Sequence, residues 1–363
     1  MQNRYLQEIT DVLQSSHINF LFGAGVSHPY LPLLGNIEKK LNEASTEEER
    51  EVQYKEYFSK VMLPNINILD ETFTSNELEK TKENYYDFFL TLSKVISARK
   101  STLLSKQVNI FTTNIDILME SCLENLHIDY NDGFTGKFTP NFSTANFKKS
   151  IFQRSQHYDH ISEIPVYNII KMHGSLTWTK NNNKIEFSHS LNHIDKSLGE
   201  KTGTEFKDSY DKILVVNPEE NKYLQSVMNL NYYELLRLYS SELEKENATL
   251  IVLGFSMADS HIKEITLRAA KSNPTLRVFV CCSKNERSIL YQKLEVLQHP
   301  NITILAITSE NEYKKYAPEL EDDIQADTDE TNIFFTLPFF SRNILKQIVS
   351  PFISTKSEDN EEE

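Results

Sequence analysis

The residues able to do chemistry fall in four short stretches, each directly after a run of apolar residues. The first is F-L-F-G-A-G-V-S at 20–27. Gly23 and Gly25 let the backbone turn tightly and approach a ligand with no Cβ in the way. The N–H groups this frees, with the helix start that follows, would cradle a pyrophosphate. Glycines in a strand-to-helix turn also serve packing alone, and the motif by itself leaves both readings open. The second stretch is I-F-T-T-N-I-D at 110–116. Asn114 can donate and accept through its amide, and Asp116 can accept from hydroxyls. At a strand end both would face the crevice where open α/β sheets bind ligands, or one of them caps the next helix, I-D-I-L-M-E-S-C-L.

The third stretch is I-I-K-M-H-G-S-L at 169–176. His173 stands at another predicted strand terminus, where it is either structural or catalytic, with the glycine directly after it favouring the second. The fourth, L-I-V-L-G-F-S-M-A-D-S-H-I at 250–262, carries Gly254 and Ser256 on a turn that would face a phosphate or a ribose. Asp259 or Ser260 would cap the helix after it. H-Y-D-H at 157–160, His189 and His193 are metal-capable residues without a second cluster at ligand spacing, and they read as surface loops. Lys39 and Lys40 read as a solvated helix face.

What must position these turns is a set of buried strands. Apolar runs of four or five residues at 18–22, 108–111, 166–170, 213–216, 249–253, 276–280 and 302–306 suit strands covered on both faces, the habit of parallel sheets. Helical period fills 224–245, 259–271 and 285–297. The alternation predicts an α/β fold, a Rossmann-like doubly wound and mostly parallel sheet. A catalytic domain over 1–310 then holds three insertions. Residues 36–105, rich in Glu, Lys, Leu and Tyr, predict a helical lobe. Residues 135–165 and 177–210 are polar, the latter with T-W-T-K-N-N-N-K-I-E-F as a hairpin. Residues 311–363 read as an acidic linker, an apolar segment at 332–353 and an acidic disordered tail. The apolar segment either packs back on the core or forms an oligomer or partner interface.

Composition narrows the function. A formal charge of −14 over 363 residues gives no overall field for nucleic acid phosphates or anionic lipid. Three cysteines and no Cys-x-x-Cys pair exclude a disulfide scaffold and the usual structural zinc site. Cys281 and Cys282, being adjacent, would point to opposite faces of one strand. The N-terminus lacks the apolar core of a signal peptide, and no apolar run approaches the roughly 20 residues a bilayer requires. A cytoplasmic setting is expected.

Taken in order, Gly23-Ala24-Gly25-Val26-Ser27, Thr112-Thr113-Asn114-Ile115-Asp116, His173-Gly174 and Gly254-Phe255-Ser256 resemble the sirtuin family. That family pairs a Gly-Ala-Gly-x-Ser loop with Thr-Gln-Asn-Ile-Asp, a catalytic His-Gly and a late Gly-x-Ser turn. The resemblance spans roughly residues 15–285. It implies NAD as the ligand, with Gly23, Ala24, Gly25 and Ser27 on the pyrophosphate and Thr113 among the cofactor-binding residues. It further implies Gly254 and Ser256 on the adenosine side, His173 as general base, Asn114 orienting the ribose or a water, and Asp116 at the nicotinamide end.

The departures shape the expected activity. No Cys-x-x-Cys zinc module is present, so no metal is expected in this chain and no lobe builds a channel for an acylated lysine. S-H-P-Y-L-P-L-L-G-N replaces the Asp-Phe-Arg segment of deacylating sirtuins. G-F-S-M-A-D-S-H-I resembles the sirtuin-like branch of bacterial anti-phage defence, and the length, with a single enzymatic domain and no fused sensor expected, is most similar to the subunit paired with a HerA-type ATPase. The resemblance implies an NAD hydrolase releasing nicotinamide and ADP-ribose, inactive until triggered. It also implies a homo-oligomer, with a HerA-type ATPase or helicase as partner. The alternatives are a sensor of NAD or ADP-ribose without turnover, and an NAD-dependent protein deacylase.

Overall fold

Six of the seven apolar runs form strands of one parallel sheet. These are β1 (His17–Phe22), β2 (Gln107–Thr112), β4 (Val166–Lys171), β5 (Ala248–Leu253), β6 (Arg277–Cys282) and β7 (Ile302–Ala306), joined at one edge by the short β3 (Tyr130–Asn131). The sheet order is β7-β6-β5-β1-β2-β4-β3, and every pairing is parallel. The computed structural model describes residues 2–33, 35–99, 101, 104–154, 160–181, 184–216, 230–306 and 335–349.

The chain leaves β1 toward β2 on one side and later returns to β5 on the other. The loops after β1 and β5 therefore leave adjacent strands at the carboxyl ends of the sheet, at the topological switch point. The register pairs Phe22 with Leu253, so both strands end at one level.

Four asparagines cross the middle of the sheet in one register: Asn19 with Asn109, Asn109 with Asn168, and Asn168 with Asn131. Their side chains bond in series. Asn109 donates to Asn19 at 2.9 Å, Asn168 to Asn109 at 2.8 Å and Asn131 to Asn168 at 3.2 Å. A one-residue slip would break the whole row, which pins the strand ends that carry the site.

The helices are α1 (Gln2–Ser15), α2 (Gly35–Glu43), α3 (Glu47–Tyr57), α4 (Pro64–Ile68), α5 (Asn76–Ser97), α6 (Leu118–Asn125), α7 (Gly203–Tyr210), α8 (Leu230–Leu243), α9 (Ser260–Ser272), α10 (Arg287–Lys293) and α11 (Leu337–Phe340). Within the helical insertion, Thr46 and Glu49 close a capping box that starts α3. The buried stripe of α5 lies on the sheet, with Phe88 edge-on to Phe20 at 5.4 Å and to Phe22 at 5.5 Å. The insertion thus shares one apolar core with that face of the sheet. Cys281 belongs to this core and Cys282 to the core on the opposite face, as adjacent strand residues must. Trp178–Asn181 and Lys184–Phe187 form the expected antiparallel hairpin.

One expectation needs correction, and one open alternative is decided for the described residues. Residues 213–216 form no strand of the sheet. β4 already has β2 on one side and β3 on the other, and the run makes only a single bridge, Val215 with Gly174. Of the two readings of the apolar C-terminal segment, its described part takes the first, packing back on the core. Phe335, Leu337, Phe339, Phe340, Ile344, Leu345, Ile348 and Val349 are buried in the core of their own chain. The acidic linker at 319–330, the final tail and most of H-Y-D-H at 157–160 lie outside the described residues. Among those described, no helix is long and apolar enough to cross a membrane.

Candidate functional site

The loops after β1 and β5 touch backbone to backbone. Gly23 N–H donates to the Leu253 carbonyl at 3.1 Å and Gly25 N–H to the Gly254 carbonyl at 3.0 Å. A Cβ on Gly23 would lie 2.5 Å from Gly254 O, and one on Gly25 would lie 2.7 Å from Gly254 Cα. Gly254 sits at φ +62°, where a Cβ would meet Val26 N at 2.7 Å. The glycines are therefore required by the contact between the two loops. Of the two readings left open for these glycines, the packing one has its contacts in this seam, which also engages both N–H groups.

Beside this seam lies a cleft of about 280 Å³, at the lower end of the range for small-molecule sites. Ala24, Gly25, Thr113, His173, Gly254 and Ser256 line it. A narrow recess of about 20 Å³ shares Ala24, Tyr57 and Thr113 with the cleft and is also lined by Ser27, Asn114 and Asp116. The sequence-derived residues thus divide between two adjoining spaces, while Gly23 stays in the seam.

His173 is held from several sides. Met172 N–H donates to the Thr112 carbonyl at 2.8 Å, and Val216 N–H donates to the His173 carbonyl at 2.8 Å. Gly174 turns the chain at φ +81°, where a Cβ would fall 2.2 Å from Leu214 O. The 213–216 run that failed to become a strand clamps this turn instead. The imidazole is 9% exposed, and its Nε2 lies 3.1 Å from Asp259 Oδ2. Asp259 is also the cap of α9: Oδ1 accepts from His261 N–H at 3.0 Å and Ile262 N–H at 3.2 Å.

The recess is walled by a closed polar network. Asn114 Nδ2 donates to the Gly23 carbonyl at 3.0 Å and to Ser27 Oγ at 3.1 Å. Ser27 Oγ donates to Asp116 Oδ2 at 2.9 Å, and Asp116 Oδ1 accepts from Leu118 N–H at 3.1 Å. Asp116 therefore does hold the start of α6, and the Ser27 hydroxyl is turned toward Asn114 and Asp116. Tyr85 OH stands 3.2 Å from Ser27 Oγ. Burial, then the nearby Asp116 carboxylate, pushes this phenol well above its ordinary pKa and keeps it neutral. Behind the network, buried Lys171 pairs with Glu120 at 2.6 Å, with Ser175 Oγ 3.3 Å away. It also donates to the Asp116 carbonyl oxygen. Burial raises the Glu120 carboxyl above its ordinary pKa despite that lysine.

Asp259 in its second role, Tyr57, Ser283 with Glu286, and Phe335 are cleft residues that sequence reasoning missed. Asp259 carried a signal, the helix cap, which accounts for one of its oxygens only. Tyr57 and Phe335 arrive from the helical insertion and the C-terminal segment, where no local pattern announces a cleft. His193 turns to Ser188 Oγ at 3.0 Å. Lys39 and Lys40 pair with Glu43 and Glu56 on the exposed side of their helix. Among the described residues, no group of three His, Cys, Asp or Glu side chains could hold a metal ion.

A family model described as SIR2-like domain matches residues 108–305. Among solved structures, a Sir2 mutant with a p53 peptide and NAD aligns at 14% identity, covering 76% of this chain and 85% of that one, with a TM-score of 0.36. A second, described as a structural basis for the mechanism and regulation of Sir2 enzymes, aligns at 11% identity over 76% and 84%, with a TM-score of 0.32. No curated protein gives a significant match.

Proposed function

Since the chain belongs to the SIR2-like domain family, we propose that it binds NAD in this cleft and hydrolyses it to nicotinamide and ADP-ribose. One observation carries the reading: His173, anchored by Asp259, lines a cleft that adjoins the recess of Asn114 and Asp116 across Thr113. Gly25, Ala24 and Thr113 lie along the diphosphate, and Gly254 and Ser256 along the adenosine side. Asp116 and Asn114 receive the nicotinamide end.

The reaction breaks the C1′–N bond, and its electron pair goes to the nicotinamide nitrogen. The cationic ring leaves neutral, so it asks for little acid catalysis. His173 takes the proton of the attacking water, whose oxygen bonds to C1′, and passes that proton to solvent. Asn114 orients the water or the ribose. Ser27 fixes the Asn114 amide and the Asp116 carboxylate, so both are set before substrate arrives.

The proposal extends to NAD depletion in anti-phage defence, by a homo-oligomer acting beside a HerA-type ATPase. Its support is the motif resemblance, G-F-S-M-A-D-S-H-I above all. The packing of residues 335–349 on their own chain removes the apolar-segment argument for it.

The decisive experiment incubates the protein with NAD, with and without a candidate partner, and follows products by chromatography. Equimolar nicotinamide and ADP-ribose are expected. Tight NAD binding with no product would make the protein a sensor, and O-acyl-ADP-ribose formed only with an acylated peptide would make it a deacylase.

A further inference from the structure

We propose that Asp259 is a positioning residue for the reaction, selecting the tautomer and ring orientation in which His173 acts as base; this rests on reading the cleft as an NAD-hydrolysing site. The geometry is a two-sided grip. Oδ1 accepts the first-turn N–H groups of His261 and Ile262, which fixes the carboxylate at the start of the 13-residue α9. Oδ2 is then aimed at His173 Nε2, 3.1 Å away. The positive end of the helix dipole favours the ionised carboxylate there.

A carboxylate can only accept, so a neutral imidazole facing it must carry its proton on Nε2 and its lone pair on Nδ1. When Nδ1 takes a proton from water, the imidazolium forms against a negative charge already in place. Asp259 gains no proton in this step. Among the described residues, the neighbouring charged groups have partners of their own. Lys171 is held by Glu120, Ser175 and the Asp116 carbonyl. Asp116 accepts from Ser27 and Leu118, and Glu286 accepts from Ser283.

The test uses Asp259→Asn and Asp259→Ser in the full chain. Both residues are good N-caps, so α9 is retained, but Asn presents an N–H to Nε2 and reverses the tautomer. Nitrogen-15 histidine NMR should place the neutral-state proton of His173 on Nε2 in wild type and on Nδ1 in Asp259→Asn. Turnover of NAD by Asp259→Asn should fall about 10²–10⁴-fold in kcat with KM within a few-fold. Asp259→Ser should also lose turnover. Wild-type kcat in a folded Asp259→Asn, or a His173 tautomer unchanged by it, overturns the inference while leaving the NAD reading intact. If the wild type releases no nicotinamide at all, the NAD reading fails, and the NMR result alone decides whether Asp259 sets the tautomer.

Discussion

Asn114 Nδ2 donates to the Gly23 carbonyl oxygen at 3.0 Å, so the side chain that faces the recess also ties the end of β2 to the end of β1. Asn114→Ala should therefore do two things. Turnover of NAD should drop about 10²–10⁴-fold for loss of a positioned polar group. Stability should fall by about 1–3 kcal/mol, because the Gly23 carbonyl and Ser27 hydroxyl each lose a buried donor. His173→Ala should match the first effect. Near wild-type turnover in either folded variant, measured under activating conditions, would remove that residue from the mechanism.

The strands and the four turns were legible because buried parallel strands are written as continuous apolar runs, and the polar residues that end them stand out. The run at 213–216 is at least as apolar as β2 or β7, yet the edge it would need on β4 is taken by the two-residue β3, which has no apolar signature. Asp259 shows the second limit. Its capping role is local and readable, whereas its bond to His173 joins residues 86 apart in sequence and exists only once β4 and β5 are placed. The C-terminal segment stayed open for the same reason: its apolar side chains demand a cover, and sequence does not say that α5 of the same chain packs on the described ones.

The Lys171–Glu120 pair behind the recess gives a stability prediction. Lys171→Met leaves a mostly buried carboxylate without its cation and should cost about 3–5 kcal/mol, whereas the double variant with Glu120→Leu should recover most of that loss. Since the Glu120 pKa is raised in the folded state, the native protein holds a proton that the unfolded chain has already released just above the ordinary carboxylate range. Stability from this group declines as pH rises through that window. Glu120→Gln should flatten the decline. Urea titrations at several pH values check the sign, and a steeper slope in the variant would contradict it.

All three cysteines should resist alkylation in the native protein. Burial pushes the Cys122 and Cys282 thiols up to about 12 and Cys281 well above its ordinary value, so almost no thiolate exists at pH 8. Two of them line the cleft, yet they should behave as packing residues. Iodoacetamide followed by intact-mass measurement should add nothing in an hour to the folded chain and three groups in guanidinium. Rapid labelling of native Cys282 would mean that the cleft opens further than its static shape allows.

The C-terminal segment yields the prediction that separates packing from assembly. Phe340 is fully buried and lies edge-on to Phe20 at 6.1 Å, while Asp87 of α5 accepts from Ser341 Oγ at 3.1 Å and pairs with Lys346 at 2.9 Å. Removing the ring should therefore cost about 3–5 kcal/mol, the range for a large core aromatic cut to alanine. A truncation after Asp323 strips the C-terminal cover from α5 and should aggregate, which light scattering alone would misread as a change in assembly. Phe340→Ala avoids that ambiguity because it alters one contact inside the chain. Its melting temperature should drop with the oligomer distribution unchanged at micromolar concentration. A variant as stable as wild type but shifted in oligomeric state would make this segment an interface after all.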